Sequence, residues 1–207
     1  MKKVLEIGGF ISGAILVAFG VAVIALGASG RSTVNSNLKQ EQIIGTPDMT
    51  PALIKVEAAK AGLKNVIFPT CSVAGEAITT GSSARCFAQY MRIHSLEASG
   101  GLPYSQMPRY ATANGKGTND ATKALMANGR PVDNGARNVW VTETALATAL
   151  NVSYMASQLS LFSIVIGLAL LLTGIGFVVL DWVALHMRRE QKATETAAVN
   201  TRQAALA

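Results

Sequence analysis

Apolar residues along this chain fall into two unbroken blocks and, between them, into short amphipathic stretches. Residues 7–28 and 159–180 are two runs of 22 residues without a charged side chain. About 20 such residues suffice for a helix to cross a hydrocarbon core of roughly 30 Å. The pattern therefore predicts a mainly α membrane protein. Two transmembrane helices, 7–28 and 159–180, flank a helical domain over 29–158, with a leading segment 1–6 and a tail 181–207.

Between the blocks, local signals place three helices. Thr50 and Pro51 open one over 52–62, with a cap, a first-turn proline and Gly62 as its stop. A second covers about 83–99, where Phe87, Tyr90, Met91 and His94 recur at 3–4 spacing and Gly100-Gly101 end it. A third is expected over 120–128, capped by Asn119 and stopped by Gly129. Residues 65–70 are the one stretch that reads as a strand. Residues 101–117, with Pro103, Pro108 and several glycines, read as an extended loop. Its Tyr104, Met107, Arg109 and Tyr110 either form a contact surface or pack against the helices. From about 142 a helical pattern without Gly or Pro runs into the second block, so the second span is continuous with a long helix. At 1.5 Å per residue, residues 142–158 would project roughly 25 Å from the membrane.

Composition explains why the blocks matter. Only 14% of the 207 residues are charged, against about 25% in a typical soluble domain. The deficit lies in the two blocks, which excludes a soluble cytoplasmic enzyme. The net charge of +6 does not imply a nucleic-acid partner. Residues 29–158 hold twelve basic and eight acidic residues spread singly, whereas nucleic-acid sites cluster their basic residues on one face.

Charge also orients the chain. Lys2 and Lys3 precede the first block, and Arg188, Arg189 and Lys192 follow the second. Basic residues beside a span stay in the cytoplasm, while loops beyond about 60 residues translocate largely regardless of charge. Both termini are thus expected inside a plasma membrane, with 29–158 outside. Glu6 and Asp181 then fall at span ends as solvated interface charges. A basic start followed by small residues near Ala28 also fits a cleaved secretory signal, although such apolar regions usually run 7–15 residues. The only cysteines, Cys71 and Cys86, lie in the external part. An oxidising compartment favours their pairing, worth about 3 kcal/mol in the chain-entropy model; two buried thiols are the alternative.

Small residues recur at helical spacing in both blocks. Gly9 and Gly13 form a GxxxG pair, followed by Ala14, Ala18 and Ala22; Ser160, Ser163, Gly167 and Gly174 form a second stripe. Small side chains let helices approach closely in lipid. The pattern leaves the partner open: the other span, a second copy, or another protein.

Catalytic chemistry finds little support. The two histidines, His94 and His186, are expected on opposite sides of the membrane, which removes a two-His-one-carboxylate iron centre. No nucleophile elbow, phosphate-cradling loop, CxxC or HExxH motif occurs. We expect no catalytic residue, no metal and no cofactor, and read His94 as a helix-face residue hydrogen-bonded in place.

The strings Phe68-Pro69-Thr70-Cys71, Arg85-Cys86-Phe87-Ala88-Gln89-Tyr90-Met91-Arg92-Ile93-His94 and Tyr104-Ser105-Gln106-Met107-Pro108-Arg109-Tyr110 resemble a family of two-span envelope proteins from high-GC Gram-positive bacteria, across nearly the full chain. The resemblance implies a Gram-positive envelope. Members sometimes bear the label aromatic ring-opening dioxygenase, but the histidine arithmetic above removes the iron site that chemistry needs. The expected function is an accessory or scaffolding subunit of an envelope complex, in contact with lipid and with other membrane proteins or further copies of itself. A ligand-binding or sensing module is the alternative, ahead of an enzyme.

Overall fold

The computed structural model describes residues 2–204, with side chains described for 7–194, 196–198 and 200. Four helices carry most of the chain: α1 (Lys2–Gln40), α2 (Pro51–Lys60), α3 (Gly81–Ala98) and α4 (Gly135–Ala204). Both α1 and α4 are long and apolar enough to cross a membrane, with mean hydropathy of 2.5 and 2.6 over an 18-residue stretch of each. The side chains of Lys2, Lys3 and Glu6, on which part of the charge reading rests, lie outside those described. The chain divides into two units. One comprises the residues up to Ser29 with those from Leu159 onward; the other is Gly30–Gln158.

In the first unit α1 and α4 run antiparallel and touch through glycine. A methyl group added at Gly20 would come within 2.7 Å of Leu171 N and 2.8 Å of Gly167 O. One at Gly13 would meet Gly174 O at 2.9 Å, and one at Gly27 would meet Ser160 O at 2.7 Å. The buried small positions are thus Gly13, Gly20 and Gly27 against Gly174, Gly167 and Ser160. A repeat of seven keeps one face toward the neighbouring helix over several turns. The stripe expected at intervals of four departs from this: Ala14, Ala18 and Ala22 are exposed, because a run at i+4 drifts around the helix away from a seven-residue seam. Gly9 faces the Asp181 carboxylate. Ser163 is half-buried and donates its hydroxyl to Leu159 O of its own helix at 2.9 Å.

The second unit has its own core. Leu38 of α1, Ile54 and Ala58 of α2, Ala84, Tyr90 and Ile93 of α3, and Ala147 and Leu150 of α4 are buried together with Met49, Val73 and Ile78. Helix α2 starts as its sequence dictates: Thr50 accepts a hydrogen bond from Leu53 N, and Pro51 stands in the first turn. Gly62 takes the left-handed conformation (φ 68°) just past its end. Helix α3 opens two residues earlier than expected, because Thr80 and Ser83 form a reciprocal capping box. Gly81 lets α3 abut α4, since a methyl group there would fall 3.0 Å from Tyr154 Cα. Cys71 and Cys86 form a disulfide with Cα atoms 6.1 Å apart, and the buried Tyr90 hydroxyl donates to Cys71 O at 2.6 Å beside it.

Three local expectations change. The helix expected over 120–128 is a single 3-10 turn (Ala121–Lys123) followed by an antiparallel hairpin, β1 (Met126–Ala127) and β2 (Arg130–Pro131). Asn128 and Gly129 both have positive φ, 50° and 72°, so this Asn-Gly pair makes the turn that two-residue hairpins require instead of stopping a helix. The strand expected over 65–70 has no ladder partner. Its alternation persists as packing, with Val66 and Phe68 against the core and Ile67 91% exposed. Helix α4 begins at Gly135, seven residues before the pattern became unbroken. Asn134 opens it, accepting from Ala136 N through its side chain at 3.1 Å.

Candidate functional site

The loop over 101–117 is folded, not free. Tyr104–Gln106 form a 3-10 turn, and Tyr110 bridges to both Thr118 and Asp133. Of the four side chains read either as a contact surface or as packing against the helices, Met107 is buried. That apolar side chain therefore belongs to the packing, and its backbone carbonyl accepts from Arg137 Nη1 at 3.2 Å. Tyr104 remains exposed, with the Arg137 guanidinium 4.1 Å from its ring centroid. Arg109 is exposed over the half-buried Tyr110 ring, and its N–H donates to Asn119 Oδ1 at 2.9 Å.

A second group of side chains comes together from three separate segments. Asp48 lies two residues before the α2 cap, Glu57 on α2, and His94 on α3. One ligating atom of each lies within 4.8 Å of the others. Local folding explains the convergence. The turn before α2 is closed by Met49 N donating to Thr46 O and Thr50 N to Asp48 O. Glu57 sits beside the buried Ile54 and Ala58, and His94 beside the buried Ile93. His94 Nε2 stands 2.6 Å from Asp48 Oδ2. That is hydrogen-bond distance, so the Asp48 carboxylate is the partner of this nitrogen.

Glu97, one turn beyond His94, joins the group. Burial pushes its carboxyl above the usual range; His94 opposes this, while the charges of Glu57 and Asp48 add to it. Its Oε1 is buried without a hydrogen-bond partner among the described residues. Asp48 goes the other way. Burial would raise it, but hydrogen bonds from Thr46 and its own backbone, with the nearby His94, hold it below the usual range. The Tyr90 hydroxyl is pushed up by burial and by the charge of Asp48. No spacing in the sequence reveals this group, because its members come from three segments that only the packing of α2 on α3 unites.

A third feature is an ion pair. Glu143 on α4 is buried (side chain 3% exposed), and its Oε2 is 3.1 Å from Nη1 of Arg92 on α3, which is 42% exposed. Burial raises the Glu143 carboxyl above its usual range, with Arg92 and the Thr144 hydroxyl opposing. Arg92 also lies over the Trp140 ring, 4.6 Å from its centroid.

Two surfaces complete the description. An apolar cleft of about 600 Å³ is lined by Leu38, Ile43, Phe87, Met91, Leu146 and Leu150 among others. On the face of α4 away from the core, Val141, Ala145, Thr148, Val152 and Met155 are all exposed. In the other unit Asp181, expected to be solvated, has Oδ2 buried in the hollow left by Gly9, without a hydrogen-bond partner among the described residues. Comparison with protein-family models, with curated proteins and with solved structures finds no match to this chain.

Proposed function

We propose that this chain is a membrane-anchored accessory subunit of a cell-envelope assembly, acting through protein–protein contact and not by catalysis. Both ends face the cytoplasm, and 29–158 lies outside, where Cys71 and Cys86 meet an oxidising environment. The flanking basic residues support this orientation, and the Cys71–Cys86 pair supports the compartment.

The observation that carries the contact reading is the outward stripe of α4. Val141, Ala145, Thr148, Val152 and Met155 are spaced 4, 3, 4 and 3 residues apart and exposed, the spacing at which one helix seats against another. Within the spans, Gly13, Gly20 and Gly27 are occupied by the chain's own α4 and are not free for a partner. The partner contact we propose falls on the second unit, and its occupant is a helix of another envelope protein.

The test is photo-crosslinking in intact cells, with a photoreactive residue at Val141 or Val152 and, as control, at the exposed Lys60. A foreign membrane protein captured from the two stripe positions and not from Lys60 is the expected result. Adducts made only of this chain would replace the accessory role by self-assembly. Equal capture from all three positions, or from none, would overturn the contact surface. The apolar cleft favours a second reading, a site for an apolar small molecule, since its volume falls within the usual 300–1,000 Å³. A compound that copurifies and is lost on Phe87→Asp would establish it.

A further inference from the structure

Asp48, Glu57 and His94 offer an imidazole nitrogen and two carboxylates within 4.8 Å of one another. Donors bound at about 2.0–2.2 Å to one ion stand at most about 4.4 Å apart, so a group already this close needs only small side-chain shifts to close on an ion. We propose that these three side chains bind a divalent first-row transition ion, with the Glu97 carboxyl beside the site.

Two observations carry this beyond a gathering of acids. First, the group contains an imidazole, a donor that suits zinc and its neighbours, whereas a site for calcium or magnesium is built from oxygen alone. Second, Glu97 Oε1 beside the group is buried without a hydrogen-bond partner among the described residues. Buried polar atoms are nearly always satisfied, so this orphan calls for an unseen partner such as an ion.

The charges agree. Asp48 and Glu57 bring two carboxylates to one imidazole, with Glu97 one turn from His94, and a bound dication would offset that negative charge. The site also spans the turn before α2, α2 itself and α3, so an ion would tie together three segments of the second unit. The inference does not depend on the proposed contact role of α4.

Calorimetric titration of the full chain in detergent micelles with ZnCl₂, after chelator treatment, tests the proposal. One saturable site per chain is expected, together with a Zn²⁺-dependent rise in melting temperature. His94→Gln and Glu57→Gln should each weaken binding by more than the ~10–100-fold that even an outer-sphere partner is worth. Glu97→Gln should weaken it less, and His186→Gln, at an exposed histidine of α4, should leave it unchanged. Circular dichroism of each variant separates lost binding from lost folding; if His94→Gln does not fold, Glu57→Gln alone decides. No saturable Zn²⁺ binding to the wild-type chain overturns the site. Binding unaffected by His94→Gln and Glu57→Gln, or abolished by His186→Gln, overturns it equally. Calcium bound more tightly than zinc and indifferent to His94→Gln would overturn the transition-metal assignment.

Discussion

The Arg92–Glu143 pair makes an asymmetric prediction. Glu143 is almost wholly buried and Arg92 nearly half exposed, so the two partners differ in what happens when the other is removed. Arg92→Met keeps an apolar stem over Trp140 but leaves a carboxylate buried with one oxygen already unpartnered. Removing one partner of a buried pair costs about 3–5 kcal/mol. The exposure of Arg92 places this case at the low end, about 3 kcal/mol, because water reaches one side of the pair. For a chain of this size that lowers the melting temperature by roughly 6–12 °C. Glu143→Gln removes the buried charge instead and returns Arg92 to solvent, so it should cost no more than about 1 kcal/mol.

The pH dependence follows from the direction of the shift. Burial raises the Glu143 carboxyl in the folded chain, against the pull of Arg92. A raised pKa contributes stability below the ordinary carboxylate range and loses it as pH rises through the folded value. Without Arg92 the shift grows, so the deficit of Arg92→Met should be largest at neutral pH. It should shrink as the solution is acidified toward pH of about 4. The fluorescence of Trp140, in a Trp182→Phe background, follows unfolding in detergent micelles. Equal losses for the two variants, or a deficit of Arg92→Met that does not change with pH, would refute the reasoning.

Two further outcomes follow from the packing. Gly20→Leu should destabilise the pairing of α1 with α4 by at least the ~1–3 kcal/mol of an overpacked core, because backbone atoms of Leu171 and Gly167 stand where its Cβ must go. Gly8→Ala and Gly176→Ala, with nothing within 4 Å, should melt with the wild type by far-ultraviolet circular dichroism in the same detergent. The double substitution Cys71→Ser/Cys86→Ser should cost roughly 3 kcal/mol through the freed loop, and reduction of the wild-type chain should reproduce the shift in a melting curve; a reduced chain that melts unchanged would contradict it.

The sequence by itself determined what depends on neighbouring residues along the chain. Two charge-free runs mark the two long apolar helices, because the number of apolar residues in a row sets how far a helix can stay out of water. The start and stop of α2 were equally plain in Thr50, Pro51 and Gly62, since capping is a bond between residues three apart. Asn128-Gly129 read as the end of a helix, because the same two residues serve both hairpin turns and helix stops, and only pairing of the flanking residues decides between the uses. Tertiary structure alone chose Gly13, Gly20 and Gly27 over Ala14, Ala18 and Ala22 as the packed face. A stripe can be read from one helix, whereas a seam requires knowing where the second helix lies. The same holds for Asp48, Glu57, His94 and Glu97. Their chemistry depends on distances of a few ångströms between segments up to about 50 residues apart in sequence, and those distances are set by how α2 and α3 bury Ile54, Ala58, Tyr90 and Ile93 against each other.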